Sequence, residues 1–125
     1  MPSTSTALAT YPLQLDLPAG SLTLALSPDT VREIQSALRD LNARLKAVAI
    51  RAVDRERRPQ PERPLEYQYV GEMFLELFCN PNIWPTPFAA KVLLSVRDEQ
   101  VRVSSEVELV GLNECLERYF DRVPD

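Results

Sequence analysis

The clearest hydrophobic pattern lies near the C-terminal end of the chain, between residues 88 and 123. Apolar and polar residues alternate over 92–97 and again over 101–108, on both sides of a short polar stretch. A period of two on each side of a turn predicts a β-hairpin. After Gly111 the apolar residues fall on one helical face, which comprises Leu112, Cys115, Leu116, Tyr119, Phe120 and Val123. The pattern therefore predicts a hairpin that leads into an amphipathic helix.

A second hairpin is predicted near the N-terminus, where leucines alternate on both sides of the turn residues 18–21. The predicted pairs are Leu17 with Leu22, Leu15 with Leu24 and Leu13 with Leu26. All six leucines then share one face of the hairpin. Pro12 has no amide hydrogen to donate and so confines the first strand to an edge. Residues 1–10 are rich in Ser, Thr and Ala, and we expect a disordered N-terminal tail.

A long helix is predicted to begin after Ser27, because serine can cap free amides and Pro28 fits a first helical turn. Its apolar residues follow at spacings of three and four, and they are Val31, Ile34, Leu38, Leu41, Leu45, Val48 and Ala52. This heptad seam has two interpretations: a helix that lies across the sheet, or a homodimer through helix 28–57. The short chain favours the first, and the two can coexist.

The segment that follows is rich in proline and arginine. Three prolines among residues 58–64 exclude a helix, so 54–64 is predicted to be a stiff, extended connector. Residues 65–79 are ambiguous. Their odd positions are all apolar or glycine, which fits a strand, yet 70–78 also forms a good helical face. We favour a single strand with Gly71 as a bulge or bend.

Together these elements predict the order β-β-α-β-β-β-α. The expected fold is α+β, with an antiparallel sheet of about five strands and two helices packed on one face. The 125 residues correspond to a single domain over 11–125. No apolar run is long enough to span a membrane, and the N-terminus has no signal-peptide pattern. Cys79 and Cys115 fall in apolar phase, as expected of buried thiols in a reducing, cytoplasmic setting.

The residue inventory argues against catalysis. The chain contains no histidine, which removes the usual general base at neutral pH and the commonest metal ligand. With only three glycines it has no phosphate-binding glycine loop, and its two cysteines do not form a CxxC motif. We therefore expect a protein that is not an enzyme and that binds no cofactor or metal.

Two features are candidates for partner binding. Arg44, Arg51, Arg55 and Arg58 are predicted to form a stripe beside the helix seam. They could bind an acidic partner protein, or their stems could simply cover apolar surface. The net charge of −4 argues against nucleic acid. The other candidate is the proline-rich loop with Ile83 and Trp84, where the indole could pack beneath the sheet or dock a partner.

The leading hypothesis is a non-catalytic protein-binding module, a small adaptor, assembly or regulatory factor that acts through the seam, the arginines and the Trp/Pro loop. The alternative is a small-ligand binding or sensing domain with a pocket between sheet and helices. The polar lining expected for that pocket is Tyr67, Tyr69, Cys79, Arg102 and Tyr119.

Overall fold

A computed structural model of the chain describes residues 9–53 and 60–124. In chain order the elements are β1 (Tyr11–Leu17), β2 (Gly20–Leu26), α1 (Pro28–Val53), β3 (Leu65–Val70), β4 (Phe74–Cys79), β5 (Lys91–Arg97), β6 (Arg102–Glu108) and α2 (Leu109–Arg122). Two short 3-10 turns, Pro81–Ile83 and Pro87–Ala89, lie between β4 and β5. The strands form two antiparallel sheets, a β1-β2 hairpin and a four-stranded sheet in the order β3-β4-β5-β6.

The α+β class with two helices is confirmed, but the single sheet of about five strands is wrong. Residues 65–79 form two strands, β3 and β4, joined by a turn over 71–73. Val70 pairs with Phe74, so both members of every pair have the same parity. A continuous strand and this hairpin therefore give the same odd–even pattern. A residue that does mark the turn is Gly71, because a side chain at this position would clash with Tyr69. A Cβ atom there would lie 2.8 Å from Tyr69 Cζ.

The N-terminal hairpin is confirmed, but its predicted register is wrong by two residues. A two-residue turn at Pro18 and Ala19 pairs Leu17 with Gly20, and the remaining pairs follow from that closure. The observed leucine pairs are Leu15 with Leu22 and Leu13 with Leu24. A shift of two preserves the face on which each side chain lies, so the buried leucines remain as expected.

Helix α1 begins where its cap predicts. Ser27 Oγ accepts a hydrogen bond from the Thr30 amide at 3.3 Å, and Pro28 is the first helical residue. The first five seam residues, Val31 to Leu45, are buried in the chain's own core. Val48 is half-buried and Ala52 is exposed, so the seam extends beyond that core. The homodimer through helix 28–57 remains a prediction, and residues 54–57 lie outside the described part.

One hydrophobic cluster joins both helices, the β1-β2 hairpin and the inner face of the four-stranded sheet. Helix α2 starts at Leu109, directly after β6, and packs against β1. The buried Tyr119 hydroxyl donates to the Leu26 carbonyl at 2.7 Å, and Arg118 pairs with Asp16 at 2.6 Å. These contacts fix the first hairpin against the last helix. Residues 1–8 and 54–59 of the predicted tail and connector lie outside the described residues.

Candidate protein-binding surfaces

Nine large hydrophobic side chains are exposed in the part of the chain that the structure describes. Five of them lie on α1, the two 3-10 turns and the start of α2, and we call them the loop–helix surface: Ile50, Val53, Ile83, Phe88 and Val110. Three lie on the outer face of the four-stranded sheet: Val70, Phe78 and Leu93. Val101 stands apart, between β5 and β6.

Phe88 is the most exposed of the nine, at 83%. It lies in the second 3-10 turn, whose backbone is held by a hydrogen bond at each end. Thr86 Oγ1 accepts from the Ala89 amide at 3.2 Å, and the carbonyl of the buried Ala90 accepts from the Leu109 amide at 3.0 Å. The turn contacts both helices. The phenyl ring is therefore presented to solvent on an ordered backbone.

Beside Phe88 lies a cleft of about 340 Å³ between the two helices. Its apolar lining comes from Pro87, Phe88, Leu109 and Val110. Its polar lining comes from Asn42, Lys46, Asn113, Glu114 and Glu117. An apolar centre with a charged border of both signs is the arrangement found at protein interfaces.

Ile83 ends the first 3-10 turn and is 65% exposed. Asn80 Oδ1 caps this turn by accepting from the Asn82 amide at 3.0 Å. Pro81 is buried, and Trp84 is half-buried and packed against the core. These two neighbours occupy the inward positions, which leaves Ile83 directed outward. Of the two loop residues chosen from the sequence, Ile83 is therefore the exposed one.

Trp84 lies close to the Cys79 thiol. Burial raises the pKa of Cys79, and the indole N–H partly offsets that effect. The contact does not meet the geometry of a hydrogen bond, and Trp84 Nε1 is buried without a partner among the described residues. A single unpaired indole N–H is a modest cost for burying most of a large ring. Trp84 thus packs between this loop and the hydrophobic core.

Arg44 and Arg51 hold residues 60–64, the described part of the connector, against α1 through hydrogen bonds. Arg44 Nη1 donates to the carbonyls of Arg63 and Pro64, each at 3.2 Å. Arg51 Nη1 donates to the Gln60 carbonyl at 2.8 Å and pairs with the Glu62 carboxylate. Arg55 and Arg58 lie outside the described residues. The predicted stripe thus includes two arginines with a structural role, and its binding of an acidic partner stays a prediction.

Sequence reasoning missed the residue that completes this attachment, Asn82. Its Oδ1 accepts from the Glu62 amide and its Nδ2 donates to the Glu62 carbonyl, both at 2.8 Å. The side-chain amide thus pairs with one backbone residue as a neighbouring strand would. The available signal was the Asn-Pro-Asn motif at 80–82, since asparagine side chains often bond to nearby backbone.

The five polar residues proposed for a ligand pocket do not converge on one site, although Tyr67 and Tyr69 are near each other on β3. Tyr119 bonds to the Leu26 carbonyl, and Tyr67 donates to Glu33 on α1 at 3.1 Å. Arg102 lines a depression with Ser95 and Ser104 on the outer face of the sheet, whereas Cys79 is buried on the inner side. Residues 9–53 and 60–124 contain no group of three or more acidic or thiol side chains placed to hold a metal ion.

Three further findings concern membrane segments, the cysteines and known proteins. Within the described ranges, no helix combines the length and apolar character needed to cross a bilayer. Both cysteines are free and buried, and burial raises the pKa of each thiol. Comparisons with protein-family models, with curated proteins and with solved structures gave no match for this chain.

Proposed function

We propose that this protein is a non-catalytic protein-binding module, a small adaptor, assembly or regulatory factor that binds its partner through the loop–helix surface. The observation that carries the proposal is the grouping of five of the nine exposed large hydrophobic side chains on four neighbouring elements, the two helices and the two 3-10 turns. Scattered single apolar residues need no explanation, but a group of them with a charged border is typical of a binding site.

Preorganisation supports the same proposal. Phe88 and Ile83 lie in short turns held by the Thr86 and Asn80 side chains. When a partner buries them, little free energy is lost in ordering the backbone, so more of the free energy of contact contributes to affinity. Phenylalanine also offers a large contact area with few rotatable bonds.

The free energies of burial and of association together indicate moderate affinity for a partner. Burying each of these side chains contributes about 1.5–3 kcal/mol, so the five together contribute on the order of 10 kcal/mol. Association itself costs about 4–15 kcal/mol. The surface therefore requires a complementary apolar partner and additional polar contacts at its border. Lys46, Glu114 and Glu117 are placed to supply such contacts.

Site-specific photo-crosslinking in the native cell tests this proposal. A photoreactive amino acid replaces Phe88 in one variant, Ile83 in a second and Val101 in a third. Val101 is the matched control, because it is 57% exposed but lies alone in another turn. We expect light-dependent adducts of the same discrete mass from positions 83 and 88, and none of that mass from position 101. The same adducts from all three positions, or none from positions 83 and 88, would refute the proposal.

A further inference from the structure

The outer face of the four-stranded sheet carries three rows of side chains that follow from the strand register. From β3 to β6, the acidic row is Glu66, Phe78, Leu93 and Glu106, the middle row is Gln68, Glu76, Ser95 and Ser104, and the basic row is Val70, Phe74, Arg97 and Arg102. Antiparallel sheets with one solvated face usually place polar residues on it. Here β4 carries a phenylalanine in each outer row, and the neighbouring β5 carries Leu93 in the acidic row.

The shape of this face is a depression between two ridges. Phe78 and Leu93, directly opposite each other, are 38% and 41% exposed and form one ridge. The middle row is low on β5 and β6, because Ser95 and Ser104 are short, whereas the longer Gln68 and Glu76 occupy it on β3 and β4. A cavity of about 430 Å³ lies over the middle row and is bordered by Phe74 on the other side.

The charges on the face are separated by row. Arg97 and Arg102 lie directly opposite each other on β5 and β6, and Arg97 also stacks over the Phe74 ring at 4.5 Å. Like charges at directly opposed positions destabilise a sheet. Glu106 is four residues along β6 from Arg102, about 13 Å, so it is too far to offset that repulsion within its own strand.

We propose that a second copy of this chain packs on this face, about a twofold axis that lies along the middle row. Such an axis exchanges the acidic and basic rows while preserving strand order. Phe78 of one copy then faces Phe74 of the other, and Glu106 faces Arg102 at two equivalent positions. The same axis places Glu76 of one copy against Glu76 of the other, which is one contact between like charges. An axis along the strands would instead place Glu66 against Glu106 at two positions and would pair no opposite charges, so charge complementarity still selects the first arrangement.

The expected dimer is weak. Four strands about 4.8 Å apart and six or seven residues long give a face of about 19 by 22 Å, or about 420 Å² in projection. A standard stable interface buries about 800 Å² on each partner. We therefore expect a reversible, concentration-dependent dimer with a dissociation constant in the micromolar range or above. The loop–helix surface lies on other elements and stays available in it.

Sedimentation velocity of the full chain over a wide concentration range tests this inference. We expect the mass to rise from monomer to dimer, and Leu93→Lys to shift the dissociation constant upward by at least about tenfold. Val101→Lys is the matched control, with the same added charge at an isolated exposed valine, and should dimerise as wild type does. Melting temperatures confirm that both variants fold. A wild-type chain that stays monomeric, or a Leu93→Lys variant that dimerises normally, would overturn the proposal.

A charge-swap experiment tests the axis itself. Arg102→Glu places two glutamates in each contact and Glu106→Arg places two arginines there, so each variant alone should dimerise at least about tenfold more weakly. In an equimolar mixture each of these contacts again pairs opposite charges, and dimers should reappear. Failure of the mixture to form dimers would refute the proposed axis, whereas Phe88→Asp should leave dimerisation unchanged.

Discussion

Tyr119 makes a buried hydrogen bond that connects the first hairpin to the last helix. Its hydroxyl is buried and donates to the Leu26 carbonyl, which joins α2 to the last residue of β2. Removing the donor leaves a buried carbonyl without that partner, and this costs more than losing an exposed hydrogen bond.

Tyr119→Phe is therefore expected to lower the free energy of unfolding by about 1–3 kcal/mol. Urea denaturation measures this change. Tyr67→Phe serves as the control, because it removes an exposed hydroxyl contact to Glu33 and should cost less. Equal losses in the two variants would contradict the role assigned to Tyr119.

Tyr67 makes a different contribution at alkaline pH. Partial burial of the side chain and the neighbouring Glu33 raise the pKa of Tyr67 above its ordinary value of 10.0. Above that pH the unfolded chain releases the phenolic proton while the folded chain retains it, so stability falls as pH rises. The contribution is fully present below pH 10.0. Tyr67→Phe should make the decline of the unfolding free energy above this pH less steep. An unchanged slope in the variant would show that Tyr67 does not titrate in this way.

Cys79 and Cys115 are expected to be inert in the folded protein. Both are buried and burial raises the pKa of both, so little reactive thiolate is present at neutral pH. Labelling with a thiol reagent should be slow in buffer and complete in denaturant. Rapid labelling of the native chain would contradict the packing around one of these residues.

At the scale of elements, the attachment of residues 60–64 to α1 depends on side chains rather than on regular structure. The segment has no helix or strand of its own. Arg44, Arg51 and Asn82 bond to its backbone. Such a segment opens easily unless these contacts hold it.

Asn82→Ala should release this segment locally. Hydrogen exchange of the Glu62 amide, which donates to Asn82 Oδ1, should become faster, while exchange in β4 and β5 stays unchanged. Asn42→Ala, which lies on α1 away from this pair, is the matched control. Unchanged protection of the Glu62 amide in Asn82→Ala would mean that other contacts hold the segment.

Most elements were predictable from the sequence because they follow hydrophobic periodicity. The α1 cap at Ser27 and the alternation in β5 are local signals, and both are observed. The β3-β4 turn was not predictable in this way, because a three-residue turn preserves odd–even parity. Periodicity also cannot distinguish a four-residue from a two-residue turn in the β1-β2 hairpin, since both keep the leucines on one face.

The candidate site was predictable only in part. The loop was identified from its prolines, Ile83 and Trp84, but the choice between them depends on which side chains the 3-10 turns direct inward. Phe88 gave no separate signal, because an isolated aromatic residue next to a strand is more often core. Its exposure depends on a cap by Thr86 and on contacts with two helices. These are tertiary features that no local pattern encodes.

At the scale of the whole molecule, the exposed apolar residues form two separate surfaces on one fold. The loop–helix surface lies on the helices and loops, and the outer sheet face lies on the opposite side of the four-stranded layer from the core. Because the two surfaces share no residues, their roles are separable by mutation. The proposed functions are binding of a partner protein for the first and self-association for the second.

The most direct test of the central claim is the mass of the native complex in which the tagged protein occurs in its own cell, measured by native mass spectrometry. We predict a mass above that of the chain or its dimer. The doubly substituted Ile83→Asp, Phe88→Asp variant should lose this complex, and Val101→Asp should retain it. A wild-type protein found only at the mass of the free chain or its dimer would contradict the proposal that it acts by binding a partner protein.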